Sequence, residues 1–367
     1  MGPSGDDALD HASWKKSQIE FGVSTLLGPV AVSDIPADVR LLPRRPIWES
    51  HGGKAVPTVR NIDDGAFGEQ NDTVGLTSVH RPCTVDKLVS RGRELATRFP
   101  SDFLSGFTTD FGGAYRQVPS DPNQSNLFGI TMWDPVQMRI VVGLAVAQIF
   151  GSRSAPLNFS RYPDWCKHVC MVLLLCVFDQ CIDDLINIER SSTTSSARSS
   201  WLCFANMCGW DIPLAKSPEP AQVFRALGVF VDLRPLPFAA ALISACEQRL
   251  YNIEQILVSI VKNKHIGPSL SASVAGKLQF TTSSFAGRFG KAMIRCFNRR
   301  AHEAGRYNLN PQISSTCDWW IRGLKVAPSR PIPWRIEERD LVISYSDGEG
   351  SDAGVGVAIW SKRLVQP

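Results

Sequence analysis

MVLLLCVFDQCIDDLINIE, Met171 to Glu189, sets an apolar run ahead of two adjacent carboxylates, Asp183 and Asp184. Its second half reads as strand, acidic turn and strand, with Cys181 and Ile182 before the aspartates and Leu185, Ile186 and Ile188 after them. A tight hairpin there holds both carboxylates at its tip, a geometry suited to a metal ion. The dipeptide alone carries little, because Asp6-Asp7 and Asp63-Asp64 repeat it. The surrounding chain has to decide.

A length of 367 residues suffices for two or three subdomains around a sizeable core. The longest apolar run, Val169 to Phe178, is far short of the roughly 20 residues needed to span a bilayer. It predicts a buried helix and no membrane partner. Met1 to Lys16 is polar and acidic, unlike a signal peptide. Ten scattered cysteines predict reduced thiols and a cytoplasmic or nuclear setting. Cys166, Cys170, Cys203 and Cys208 have spacings that fit no familiar zinc finger, so buried thiols are the better reading. A net charge of +4 is mild, and any nucleic-acid partner must be held by local basic patches.

Residues 1–39 lack sustained periodicity and read as a poorly specified lead-in. Lys54 to Asn71 alternates apolar and polar residues before a glycine-rich turn, a strand presenting Lys54 and Arg60. Thr84 to Phe99 has helical spacing with Thr84 as N-cap. Phe103 to Pro119 reads as a strand ending at Asp110 and turning through Gly112 and Gly113, which puts another carboxylate at a strand end. A hairpin follows, Leu127 to Met132 and Met138 to Leu144 around Trp133 to Pro135. It leads to Gln148 to Trp165, where Ser154 caps a helix that Pro163 breaks or restarts. Past the acidic hairpin, Ser191 to Ser200 (SSTTSSARSS) predicts a flexible surface loop, and Trp201 to Cys208 a short helix stopped by Gly209. Lys216 lies in a Pro-rich turn, and Val223 to Leu233 reads as a strand pair.

Taken in this order, the chain from about Arg40 to Leu324 resembles the reverse transcriptases of retroelements. TTDFGGAYRQVP, Thr108 to Pro119, is similar to the family's first catalytic motif, FGSRSAP, Phe150 to Pro156, to the second, and CIDDLINIE, Cys181 to Glu189, to the third. ALGV, Ala226 to Val229, resembles the primer-gripping segment, and GKLQFTTSSFAGR, Gly276 to Arg288, the connection of tyrosine-recombinase-type (DIRS-like) elements. The resemblance implies an α+β right-hand polymerase with fingers at 40–105, a palm with an antiparallel sheet at 106–235, and a thumb and connection at 236–330. It implies RNA-directed DNA polymerase activity on an RNA or DNA template with a primer and deoxynucleoside triphosphates. Asp110, Asp183 and Asp184 would hold Mg²⁺ or Mn²⁺. Lys54, Arg60, Gly113, Ala114, Tyr115, Gln148 and Gly151 would bind the nucleotide, and Leu227 and Gly228 the primer. Lys216 matches a lysine that protonates pyrophosphate, with a solvated surface lysine as the equal alternative.

Two departures stand out. Cys181 occupies the position of an aromatic residue, and Gly112 and Gly113 loosen the nucleotide-facing turn. The alternative is therefore a catalytically decayed, nucleic-acid-binding remnant. Arg288, Lys291, Arg295 and Arg299 fall on one stripe of a helix, opposite Phe285, Phe289, Met293 and Cys296; they read as phosphate contacts or as a solvated basic face. Within 338–367, Leu341 to Ser361 resembles the opening hairpin of a ribonuclease H domain with Asp347 as its first carboxylate, the alternative being a plain Asp-Gly hairpin.

Overall fold

The computed structural model describes residues 2–49, 57–75, 83–234, 241–285, 289–303, 307–332, 342–348 and 355–361. In chain order it opens with α1 (Asp7–Gly22), β1 (Leu26–Ala31), β2 (Leu41–Glu49), β3 (Thr58–Asp63), α2 (Val85–Arg98) and β4 (Leu104–Asp110). Next come β5 (Gly129–Asp134), β6 (Arg139–Ala145), α3 (Ala155–Leu173), β7 (Phe178–Cys181), β8 (Asp184–Arg190), α4 (Ser191–Met207), β9 (Val223–Ala226) and β10 (Val229–Asp232). The chain continues through β11 (Ala241–Ala245), α5 (Glu247–Asn263), α6 (Pro268–Thr281), α7 (Arg295–Ala301), α8 (Pro311–Val326), β12 (Arg330–Ile332), β13 (Val342–Gly348) and β14 (Val355–Ser361). Two compact units result, one of Met1–Thr84, Phe107–Asn187 and Thr193–Pro220, the other of Val85–Gly106, Ile188–Ser192 and Ala221–Pro367.

In the first unit, the strands β1-β6-β5-β2-β3 form a five-stranded sheet in which β2 and β5 run parallel and the other pairs antiparallel. Trp14 of α1 packs into the core of this sheet with Leu26, Leu42, Ile130, Met132 and Val141. The lead-in that the sequence leaves poorly specified holds a helix and a strand. Its signal was hidden because the buried residues of α1 are Leu9, Asp10, Ser13, Trp14 and Ser17, helical in spacing but mostly polar. Their polarity is satisfied inside: the Ser13 hydroxyl donates to Asn61 Oδ1 at 2.8 Å. The β5–β6 hairpin lies two residues later than expected at its first strand. Asp134 ends β5 and accepts from the Val136 and Gln137 amides, which closes the turn beyond it.

The three-stranded sheet β4-β8-β7 has a second core on one side, built from Phe107, Phe111, Phe159, Phe178, Leu185 and Trp201. Phe111 meets Phe159, Trp201 and Trp210 edge-on at 5.2, 6.1 and 5.4 Å, contacts worth about 0.5–1.5 kcal/mol each beyond buried area. This core corrects three expectations. Ser191 to Ser200 is no loop but the first half of α4. Thr194, Ala197, Trp201 and Ala205 recur at helical spacing on its buried side, and packing overrides the weak propensity of serine. The helix expected over Trp201 to Cys208 is the end of α4, which does stop before Gly209 in the left-handed region (φ 78°). Pro163 sits inside α3 without ending it, buried in the interface that offsets its missing N–H. The apolar run Val169 to Phe178 is likewise not one buried helix. It spans the last turn of α3, a bend with Leu175 at φ 55°, and the start of β7, and it leaves Met171, Val172, Leu173 and Leu175 exposed.

In the second unit, the antiparallel sheet β12-β11-β10-β9 accompanies a helical core of Leu257, Leu278, Phe297 and Trp320. The expected basic helix is broken. Gly290 takes a left-handed conformation (φ 80°), a 3₁₀ turn covers Lys291–Ile294, and α7 begins only at Arg295. Lys291, Arg295 and Arg299 are exposed while Ile294, Cys296 and Phe297 are buried, and Arg288 lies outside the described residues. β13 and β14 pair antiparallel from Val342↔Ser361 to Gly348↔Val355, with Asp347 opposite Gly356.

Candidate active site

Asp110 ends β4, and Cys181 of β7 pairs with Asp184 of β8, so Ile182 and Asp183 make the two-residue turn between them. Ile182 holds φ at 57°, an uncommon conformation for a branched residue and a local cost of about 1–3 kcal/mol. The strain sits where the hairpin presents its aspartates. One carboxylate oxygen each from Asp110, Asp183 and Asp184 lies within 4.8 Å of the others, and all three residues are half-buried. Burial, then the neighbouring charge of Asp110, raises the Asp183 pKa above its ordinary value; Lys216 and Arg60 pull it back. Lys216 Nζ stands 2.5 Å from Asp110 Oδ2. Burial, then the charges of Asp184 and Asp183, also raises the Cys181 thiol. Three hard oxygen donors converging this closely fit a divalent cation.

The turn after β4 starts at Gly113 (φ 59°) and continues as a 3₁₀ turn over Ala114–Gln117. At Gly112 a Cβ would lie 2.2 Å from a carboxylate oxygen of Asp211, so a side chain there requires that carboxylate to swing aside. The Tyr115 ring lies 4.8 Å from Phe150 and 5.7 Å from Phe159, and burial, then the charge of Asp183, pushes its hydroxyl up to about 12. The Gln148 amide donates to the Val118 carbonyl at 2.9 Å, joining the segment before α3 to this turn. Gly151 is required by contact: a Cβ there would lie 1.5 Å from the Asp63 carbonyl oxygen. Arg60 is on β3 as expected, but it is exposed and paired with Glu49 at 2.8 Å. Lys54 lies outside the described residues. Leu227 and Gly228, in the other unit, form the β9–β10 turn with φ of 49° and 68°.

Several supporting residues have no sequence signal. Asn71 accepts from the Arg153 amide and donates to the Gly151 carbonyl, fastening the loop before α3. Gln117 donates to the Gly112 and Asp211 carbonyls and accepts from the Asp211 amide. Arg116 and Arg44 share the buried carboxylate of Asp63, which reads in sequence only as part of an Asp-Asp-Gly turn. Burial works against ionising Asp63, but the two guanidiniums overcome it and hold its pKa below the usual carboxylate range.

No protein-family model and no curated protein matches the chain. Solved structures do. A foamy viral protease-reverse transcriptase, in a form designated dRH in complex with double-stranded DNA, superposes with a TM-score of 0.60 at 12% identity over 99% of this chain. The chain has a reverse-transcriptase-like fold. The foamy viral protease-reverse transcriptase with double-stranded DNA gives a TM-score of 0.59 at 12% identity, and with an RNA/DNA hybrid 0.60 at 10%, each over 99% of this chain. The likeness is one of fold, and this chain spans 55%, 65% and 44% of the three longer chains. Among the described residues, no helix is long and apolar enough to cross a membrane.

Proposed function

We propose that this chain is the RNA-directed DNA polymerase domain of a tyrosine-recombinase-type retroelement, with fingers at 40–105, palm at 106–235, thumb and connection at 236–330 and the start of a ribonuclease H-like domain at 338–367. The observation that carries the reading is the convergence of Asp110, Asp183 and Asp184 within 4.8 Å, from a strand end and a hairpin tip. Mg²⁺ or Mn²⁺ held there would activate a primer 3′-hydroxyl and neutralise charge on the leaving pyrophosphate. The chain's own residues do the rest. Tyr115 packs beside the sugar and excludes a 2′-hydroxyl, the backbone around Gly113 cradles phosphate oxygens, and Lys216 offers a proton to the departing pyrophosphate. Leu227 and Gly228 hold the primer. The nucleic-acid complexes of the fold's solved neighbours support a template with a primer as the partner.

Primer extension on an RNA template with deoxynucleoside triphosphates tests the reading. Asp110→Asn and Asp183→Asn should each lower the rate on the order of a thousandfold. Unchanged extension in both variants overturns it. Cys181 in place of an aromatic residue favours the second reading, a decayed remnant that binds template and primer but does not extend them.

A further inference from the structure

The 3₁₀ turn carrying Tyr115 has only four residues, Ala114–Gln117, and two of its side chains tie it down. Gln117 clasps the Gly112 and Asp211 backbone. Arg116, 9% exposed, donates to Asp63 Oδ2 at 2.7 Å and pairs with Glu20 Oε1 at 3.5 Å. Asp63 and Glu20 also grip Arg44, each at 2.7 Å, and Arg44 and Asp63 are each 1% exposed. Two guanidiniums and two carboxylates thus close a charge-balanced ring that joins α1, β2, β3 and the turn. Removing one carboxylate leaves an uncompensated buried cation, and the ring must rearrange or admit water.

We propose that Glu20, on the N-terminal helix α1, is a positioning residue of the nucleotide site, fixing the Tyr115 ring through Arg116. Arg116 and Tyr115 share one backbone segment, so a shift of the guanidinium turns the adjacent aromatic ring. That ring meets Phe150 and Phe159, and a displaced ring alters the space left for a sugar. The carboxylates stand on other elements, β4 and the β7–β8 hairpin, so the chemical step is spared. Asp63 strengthens the link, because its carbonyl also abuts Gly151 in the loop before α3. The inference rests on the reading of Tyr115 as a nucleotide contact.

The test is fluorine NMR of protein labelled with 3-fluorotyrosine. The chain has five tyrosines, and Tyr115→Phe identifies the resonance of interest. In Glu20→Gln, which keeps the shape and removes the charge, the Tyr115 resonance should move while the other four stay. The Mg²⁺-induced rise in melting temperature should persist, and Glu20→Asp should restore part of the wild-type position. With an active wild type, Glu20→Gln should raise the nucleotide KM about tenfold and leave kcat within about twofold. A Tyr115 resonance that stays put in the folded variant overturns the proposal, as does a shift of all five resonances, which marks a role in folding alone. If Glu20→Gln does not fold, Arg116→Lys is judged by the same criteria. Failure of the polymerase reading shows separately, as a wild type that incorporates no nucleotide whatever the fluorine spectrum does.

Discussion

Lys216 Nζ lies 2.5 Å from Asp110 Oδ2, so one of the three clustered carboxylates already has a counter-charge from the Pro-rich turn. The lysine side chain is 58% exposed, and the pair by itself is worth about 0.2–1 kcal/mol. Its larger effect is on its neighbours. Lys216→Met should lower the melting temperature in chelator and enlarge the rise produced by Mg²⁺, because metal then neutralises more uncompensated charge. In an active enzyme, kcat should fall about a hundredfold or more, the scale of a lost proton donor. Thermal melts with and without metal, and single-turnover incorporation, check the two arms.

In the proposed metal site, Asp183 would link metal binding to pH. At ten times its dissociation constant, one bound ion adds roughly 1.4 kcal/mol to stability. Asp183→Asn should remove most of that gain and raise stability in chelator. Because the folded pKa of Asp183 lies above the ordinary 3.8, the folded state binds the proton more tightly than the unfolded one. Its contribution to the metal-free protein is therefore favourable at low pH and is lost as pH rises from about 3.8 through the folded value. Melting in chelator across that window should show the loss in wild type and not in Asp183→Asn. Asp64→Asn breaks the Arg45 pair at 3.2 Å but should leave the metal response intact.

Tyr115→Ala should admit ribonucleotides, since the ring packed against Phe150 is the proposed barrier to a 2′-hydroxyl. Single-nucleotide incorporation with matched deoxy- and ribonucleoside triphosphates measures it. Equal discrimination by wild type and variant removes Tyr115 from that role.

Gly151→Ala should destabilise the fold by about 1–3 kcal/mol, because its Cβ would stand 1.5 Å from the Asp63 carbonyl oxygen. Gly276→Ala, inside α6 with nothing within 4 Å, should stabilise by up to about 1 kcal/mol. Urea midpoints of the two variants should move in opposite directions.

Arg295 and Arg299 stand one turn apart on α7, exposed on the same side. If they contact phosphates, changing both to Gln should flatten the log–log salt dependence of duplex DNA binding by up to about 1.8. An unchanged slope returns them to a plain solvated face.

The three clustered carboxylates were legible because Asp110 ends a strand and Asp183 and Asp184 sit at a hairpin tip, beside stretches that alternate or run apolar, a pattern that survives without knowledge of packing. Tyr115 and Gly113 enter the proposal from the motif that carries the family resemblance. Polar burial leaves no such pattern. Ser13, Ser17 and Asp10 line the inward face of α1, and serine and threonine fill half of α4, so neither helix advertises an apolar stripe. Glu20, Asp63 and Arg116 were invisible for a related reason. A charged residue reads as solvated until its partner, distant in sequence, is seen beside it. The apolar run before Asp183 misled in the opposite direction, since Leu173 and Leu175 are hydrophobic and yet exposed.

Asp183 and Asp184 belong to a single hairpin, whereas Asp110 arrives on β4, a strand contributed from much earlier in the chain. During refolding the hairpin is a local event and closes quickly, but Asp110 joins it only when β4 docks beside β8, which has to await a long loop closure. In the proposed metal site, tight cation binding would therefore be a clock for tertiary assembly. A refolding chain should gain its β structure before it gains affinity for Mn²⁺, and the lag between the two signals times the arrival of β4.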